Sequence, residues 1–172
     1  MTPPTAPSTP PPARTGRKVL IYVAVGLGLL FVCGFGGIFA AAFIPSFVST
    51  QYRAKRSEVP TVVDQLRTAQ LEYHGRTGRY LACGSEASAQ TALADGNGTS
   101  RRPFPSGDGE CWAELGWAPN HAVRGEYWMV VAEDGSDFQV HGICDADGDG
   151  EFAVVVADRT NPAMLVTDTT IY

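Results

Sequence analysis

Residues 19–52, VLIYVAVGLGLLFVCGFGGIFAAAFIPSFVSTQY, contain no Asp, Glu, Lys, Arg or His, and Lys18 and Arg53 bound them. At about 1.5 Å of rise per residue such a run, coiled as a helix, exceeds the ~30 Å hydrocarbon core of a bilayer. It therefore predicts a transmembrane helix, placed at residues 18–47. Tyr22 and Tyr52 stand about 45 Å apart on an unbroken helix and match the two interfaces of such a membrane. Beyond Arg53 the pattern becomes amphipathic. Val59, Val62, Val63, Leu66, Ala69 and Tyr73 recur at steps of three and four, while Asp64, Arg67 and Glu72 fall elsewhere on the wheel. One long helix, continuing over residues 48–75, accounts for both halves, with Pro45 and Pro60 as places where it ends or kinks.

The residues that follow are punctuated differently. GRTGRY after His74 stops the helix with two glycines, and residues 76–125 read as a long loop region in which SEASAQTALA and CWAELGW form short helical turns. In residues 126–172, EYWMVVA, FQVHGIC, EFAVVVA and AMLVTDTTIY alternate with turns rich in Asp, Gly and Asn, a meander of antiparallel strands. In the second of these runs Phe138, Val140 and Cys144 share a face with Gly142, which sends Cys144 to the core and His141 to the opposite side. The fold class is thus α+β: a long N-terminal helix packed by its outer half on a C-terminal antiparallel sheet. Residues 1–17 form a Pro-rich tail with too few apolar side chains to pack and are expected to be disordered. Residues 48–172, about 125 residues, suffice for one core.

Charge narrows the class of partner. Between Asp108 and Tyr172 there are 13 acidic residues against Arg124 and Arg159, a surface that repels nucleic acid. The pair Arg101-Arg102 reads as a solvated loop. No Walker loop, G-x-S-x-G, dinucleotide fingerprint or H-E-x-x-H occurs, and a non-catalytic protein is expected.

From Ala40 to Tyr80 the sequence resembles the type IV pilins and type II secretion pseudopilins. The matching residues are Ala40-Ala41-Ala42-Phe43, Ile44-Pro45-Ser46-Phe47, Arg53-Ala54-Lys55, Ser57-Glu58, Leu66, Ala69, Tyr73, Gly78 and Tyr80. The resemblance implies a pilin-like membrane-anchored structural or assembly protein of a bacterial inner membrane, N-terminus cytoplasmic, with residues 48–172 periplasmic or extracellular. Aligned on Pro45, the family's cleavage Gly corresponds to Val23 and its early Glu to Gly28. That departure leaves a second reading, an uncleaved single-span anchor displaying a binding module on a pilin fold. Gly36, Gly37, Ala40 and Ala41 are small residues one turn apart, suited to close packing with the helices of other pilin-like subunits.

Two local chemistries stand out. Asp145, Asp147, Asp149 and Glu151, in DADGDGE, put carboxylates on one tight turn with the spacing of a calcium loop. The closing acidic ligand of such a loop corresponds to Val156, so the same residues also read as a metal-free Asp-Gly hairpin turn. Outside the apolar run, which holds Cys33, there are three cysteines. In an oxidising compartment two of them pair: Cys83 with Cys111 is expected, and Cys144 competes for either.

Overall fold

The computed structural model describes residues 14–96, 98–104 and 109–172, with backbone alone at residues 14, 15, 17, 35, 38, 40, 42 and 96. The tail at residues 1–13 lies outside them. The chain divides into two units, residues 1–47 and 48–172. In the first, helix α1 (Arg14–Arg56) runs through Pro45 without ending there. The large apolar side chains described on it between Val19 and Phe47 are exposed, with Leu20 at 72%, Leu30 at 74% and Phe47 at 66%. Among the described residues no helix is long and apolar enough to cross a membrane.

In the second unit the long helix expected from the sequence is two helices. α1 stops at Arg56 and α2 (Glu58–Thr77) begins after Ser57. Pro60 is the physical cause: it has no N–H to give the carbonyl of Arg56 and its ring crowds that carbonyl, so the ladder cannot pass this point. Placed in the first turn of α2, the same proline is tolerated. α2 ends at Gly78, whose left-handed φ of 76° lets its N–H reach the His74 carbonyl at 2.8 Å.

The loop region contains α3 (Glu86–Gly96) and α4 (Gly109–Leu115). The strands β1 (Glu126–Val131), β2 (Phe138–Cys144), β3 (Ala153–Asp158) and β4 (Met164–Leu165) form one antiparallel sheet in sequence order. β4 is far shorter than AMLVTDTTIY predicts. Thr167 accepts the Val154 N–H through its side chain, and Asp168 folds the chain back by accepting from both the N–H and the hydroxyl of Thr170. Such local side-chain bonds compete with a ladder.

Register places the two faces of the sheet. Val140, Gly142 and Cys144 pair with Ala157, Val155 and Ala153 on the face that receives Val59, Val62, Val63, Leu66 and Tyr73 of α2. On the other face Trp128 and Ile143 pack with Ala89 and Leu93 of α3. Cys83 exchanges both backbone hydrogen bonds with Met129, at 3.1 and 2.7 Å, and so covers part of the outer edge of β1. A disulfide from Cys83 to Cys111 then ties α4 to that edge.

Candidate metal centre

The β2–β3 connection is built around Asp145, which is only 7% exposed. Its Oδ1 accepts the Gly148 N–H at 2.7 Å and its Oδ2 the Gly150 N–H at 3.1 Å. Gly148 and Gly150 take φ of 82° and 86°, which side-chain-bearing residues rarely adopt, so the Asp-Gly spacing is what allows the chain to wrap around one carboxylate. Asp149 accepts the Glu151 N–H at 2.8 Å. The turn is further held from outside: Ala146 donates its N–H to the Tyr172 carbonyl at 2.8 Å and accepts from Lys55 at 3.3 Å.

Asp145, Asp147 and Asp149 each present an oxygen within 4.8 Å of the others. Asp147 carries the mismatch: its Oδ1 is buried and has no hydrogen-bond partner. Burial and then the neighbouring charges of Asp149 and Asp145 hold its carboxyl above the usual range. Three carboxylates this close together, one of them fixed by backbone N–H groups and another unsatisfied, could hold a metal ion, and they supply three of the six to eight oxygens that calcium takes. Glu151 is exposed and is not brought into this group. Val156 lies in β3 opposite His141 and Met164, which leaves the closing position apolar.

The other residues singled out from sequence fall as follows. Cys144 is a free thiol in the core, 1% exposed, and burial pushes it up to about 12. His141 stacks on Trp128 at 4.8 Å with planes 6° apart, on the opposite face, so the two residues share no ligand site. Gly36 and Gly37 have open space where a side chain would project, and Ala41 is exposed. The side chain of Ala40 lies outside the described ones.

Sequence reasoning missed a polar hub at the start of α2. Glu58 Oε1 accepts the Arg124 N–H at 2.8 Å, while its Oε2 pairs with Arg101 at 3.0 Å and Arg124 at 3.6 Å. Arg102 pairs with Glu126 at 3.4 Å, both largely buried. The Arg101-Arg102 pair is therefore a connector between loop, helix and sheet. The only sequence signal was an acidic residue in the first turn of a helix, where the dipole favours it.

No protein-family model, no curated protein sequence and no solved structure matches the chain.

Proposed function

We propose that this chain is a pilin-like, membrane-anchored structural or assembly protein of the type IV pilus or type II secretion pseudopilin class, without catalytic activity. The observation that carries the reading is α1: a helix of 43 residues on which the large side chains described between Val19 and Phe47 are apolar and exposed. Water penalises such a surface on every side of a helix, and lipid does not. The order of elements beyond it, an amphipathic helix laid on an antiparallel meander, agrees with the resemblance from Ala40 to Tyr80. A disulfide between Cys83 and Cys111 supports an oxidising compartment for residues 48–172 and hence an N-terminus on the cytoplasmic side of a bacterial inner membrane.

Assembly through like helices has a built-in reporter. Cys33 is exposed and precedes Gly36, Gly37 and Ala40 by three, four and seven residues, which puts all four on one helical face. If that face packs against another copy, mild oxidation of membranes yields a Cys33-linked dimer that Gly37→Leu abolishes. Absence of the dimer under oxidation, with the protein present, argues against association through this face. Val23 and Gly28, where the family has its cleavage Gly and early Glu, favour the second reading, an uncleaved anchor carrying a binding module. The mass of the membrane-extracted chain separates the two, since an intact N-terminus is expected only of the anchor.

A further inference from the structure

Among the described residues of the second unit, three large apolar side chains are exposed: Val130 at 47%, Met164 at 59% and Val166 at 64%. All three belong to one face of the sheet. Trp128, His141, Val156 and Met164 lie opposite one another in a single row across the four strands, so they share a side. Val130 is two residues beyond Trp128. Val166 is two beyond Met164 and continues the ladder, its N–H on the Val154 carbonyl at 2.9 Å. This is the side on which α3 rests, and α3 lies over β1 and β2. Over β3 and β4 the same side shows Val154 and Val156, half-buried, beside the exposed Met164 and Val166.

Both ends of this face are acidic. One carries Glu133, Asp134 and Asp137 of the β1–β2 turn and Asp158 at the end of β3, with Arg159 as the cation next to them. The other carries Asp149 and Glu151 of the β2–β3 turn and Asp168. Lys55 and Arg56, which reach that end, donate to the carbonyls of Ala146, Thr169 and Ile171. Along its flank α3 holds Glu86 and Asp95 and has no Lys or Arg. Hydrogen bonds from Ser136, from Asn161 with Thr160, and from Thr170 hold Asp134, Asp158 and Asp168 below the usual carboxylate range, so these charges persist into acid. Burial holds His141 below the ordinary imidazole range, against the opposite pull of Glu86, and leaves the middle of the face uncharged at neutral pH.

Helices pack about 8–10 Å apart and strands about 4.8 Å, so a helix laid beside α3 falls two strands further on, over β3 and β4. The 6 residues of β3 make the face about 20 Å long, the length of about 13 helical residues. We propose that this face receives an amphipathic helix of a second protein, apolar toward Val156, Met164 and Val166 and carrying Lys or Arg at both ends. The acidic ends attract such a helix, and they repel both the same face of a second copy and an anionic bilayer.

The probe is a helical peptide of about 13 residues with Leu along one side, Ala elsewhere and two Lys at each end. It is titrated calorimetrically into the full chain in nanodiscs of zwitterionic lipid, with empty discs as the reference. One saturable site per chain is expected. Met164→Ser with Val166→Ser, both at exposed positions and expected to keep the parent's urea midpoint, should weaken binding by about ten-fold, the scale of losing two apolar contacts. Exchanging the Lys for Glu should weaken it at least as much. The proposal is overturned if no saturable site exceeds the reference or if the Glu-ended peptide binds equally well. It also falls if the Ser variant binds like the parent, or if a peptide of the same composition with its Leu scattered binds equally well, which would reduce the effect to charge. Sedimentation of the chain in detergent gives the remaining outcome: self-association of the parent that the Ser variant lacks would assign the face to a second copy and overturn the proposal.

Discussion

Gly142 has no room for a methyl group. A Cβ there would lie 2.6 Å from a methyl of Val63, 2.8 Å from one of Val59 and 3.0 Å from the ring of Tyr127. The two valines are β-branched and stiff on a helix, so they yield only if α2 moves off the sheet. Gly142→Ala is expected to destabilise the fold by about 1–3 kcal/mol, as overpacking does, and the urea midpoint measures it. A midpoint equal to the parent's would mean that α2 is not seated as described. Cys144, two residues on, tests the same core by chemistry. Its thiol is buried and raised to about 12, so at pH 8 it is neither accessible nor ionised. Iodoacetamide should leave the Cys144 peptide unmodified in the native chain and modify it in urea. The alternation of β2 shows in its sequence that Cys144 faces inward. It does not show that Gly142 is there to admit a helix, because closeness between elements distant in the chain leaves no periodic trace.

At the scale of elements the sequence carries the strands better than the connections. β-rich runs set between turns of Asp and Gly mark β1, β2 and β3, and β2 alternates as well. The break at Ser57 is visible only as Pro60, and a proline is equally compatible with a kink or with a new helix start. α3 covers the second face of the sheet with just two buried side chains, Ala89 and Leu93, too few to write a stripe. The disulfide gives the connection its cohesion. Cys83 and Cys111 are 28 residues apart, and closing a loop of that size contributes about 3.5 kcal/mol in the chain-entropy treatment. Cys83→Ala with Cys111→Ala should lower the unfolding free energy by a comparable amount, and reduction of the parent should reproduce it.

The acidic turn was legible as a set of ligands, but not the dependence of its shape on Asp145, which is read from the bonds to Gly148 and Gly150. Because Asp147 ionises reluctantly there, its folded pKa lies above its unfolded value. Its contribution to stability is thus greatest below the ordinary carboxylate range and is lost as pH rises through the raised value. A bound cation removes that loss. Calcium is therefore expected to raise the melting temperature at neutral pH, by the equivalent of about 2.7 kcal/mol at a hundred times its Kd. Magnesium should raise it much less, and the effect should fade as acid protonates the turn. Asp147→Ala should abolish it, and indifference of the parent to calcium and chelator leaves the segment a hairpin turn.

At the scale of the whole molecule, the second unit carries its own core. Its buried residues run from Val59 to Ala157, in one cluster filled by side chains of α2, α4, the sheet and their connections and a second filled by α3 and the other face of the sheet. The end of α1 is fastened within that unit. Arg56 donates to the carbonyl of Ile171 and, at 3.2 Å, to that of Thr169, and the ring of Tyr52 lies tilted against that of Tyr172, 5.7 Å between centroids. The large apolar residues described in the first unit, by contrast, are exposed along α1. Stabilities of parts that share no partners add. A fragment of residues 48–172 should therefore unfold cooperatively with a urea midpoint within about 0.5 kcal/mol of the same transition in the full chain. The full chain, unlike the fragment, should partition into detergent and stay with membranes washed in alkaline carbonate. A fragment that is unfolded in buffer would make the first unit part of the fold. Release of the full chain by carbonate would remove the anchor from the proposed function and leave the exposed apolar helix to a protein partner.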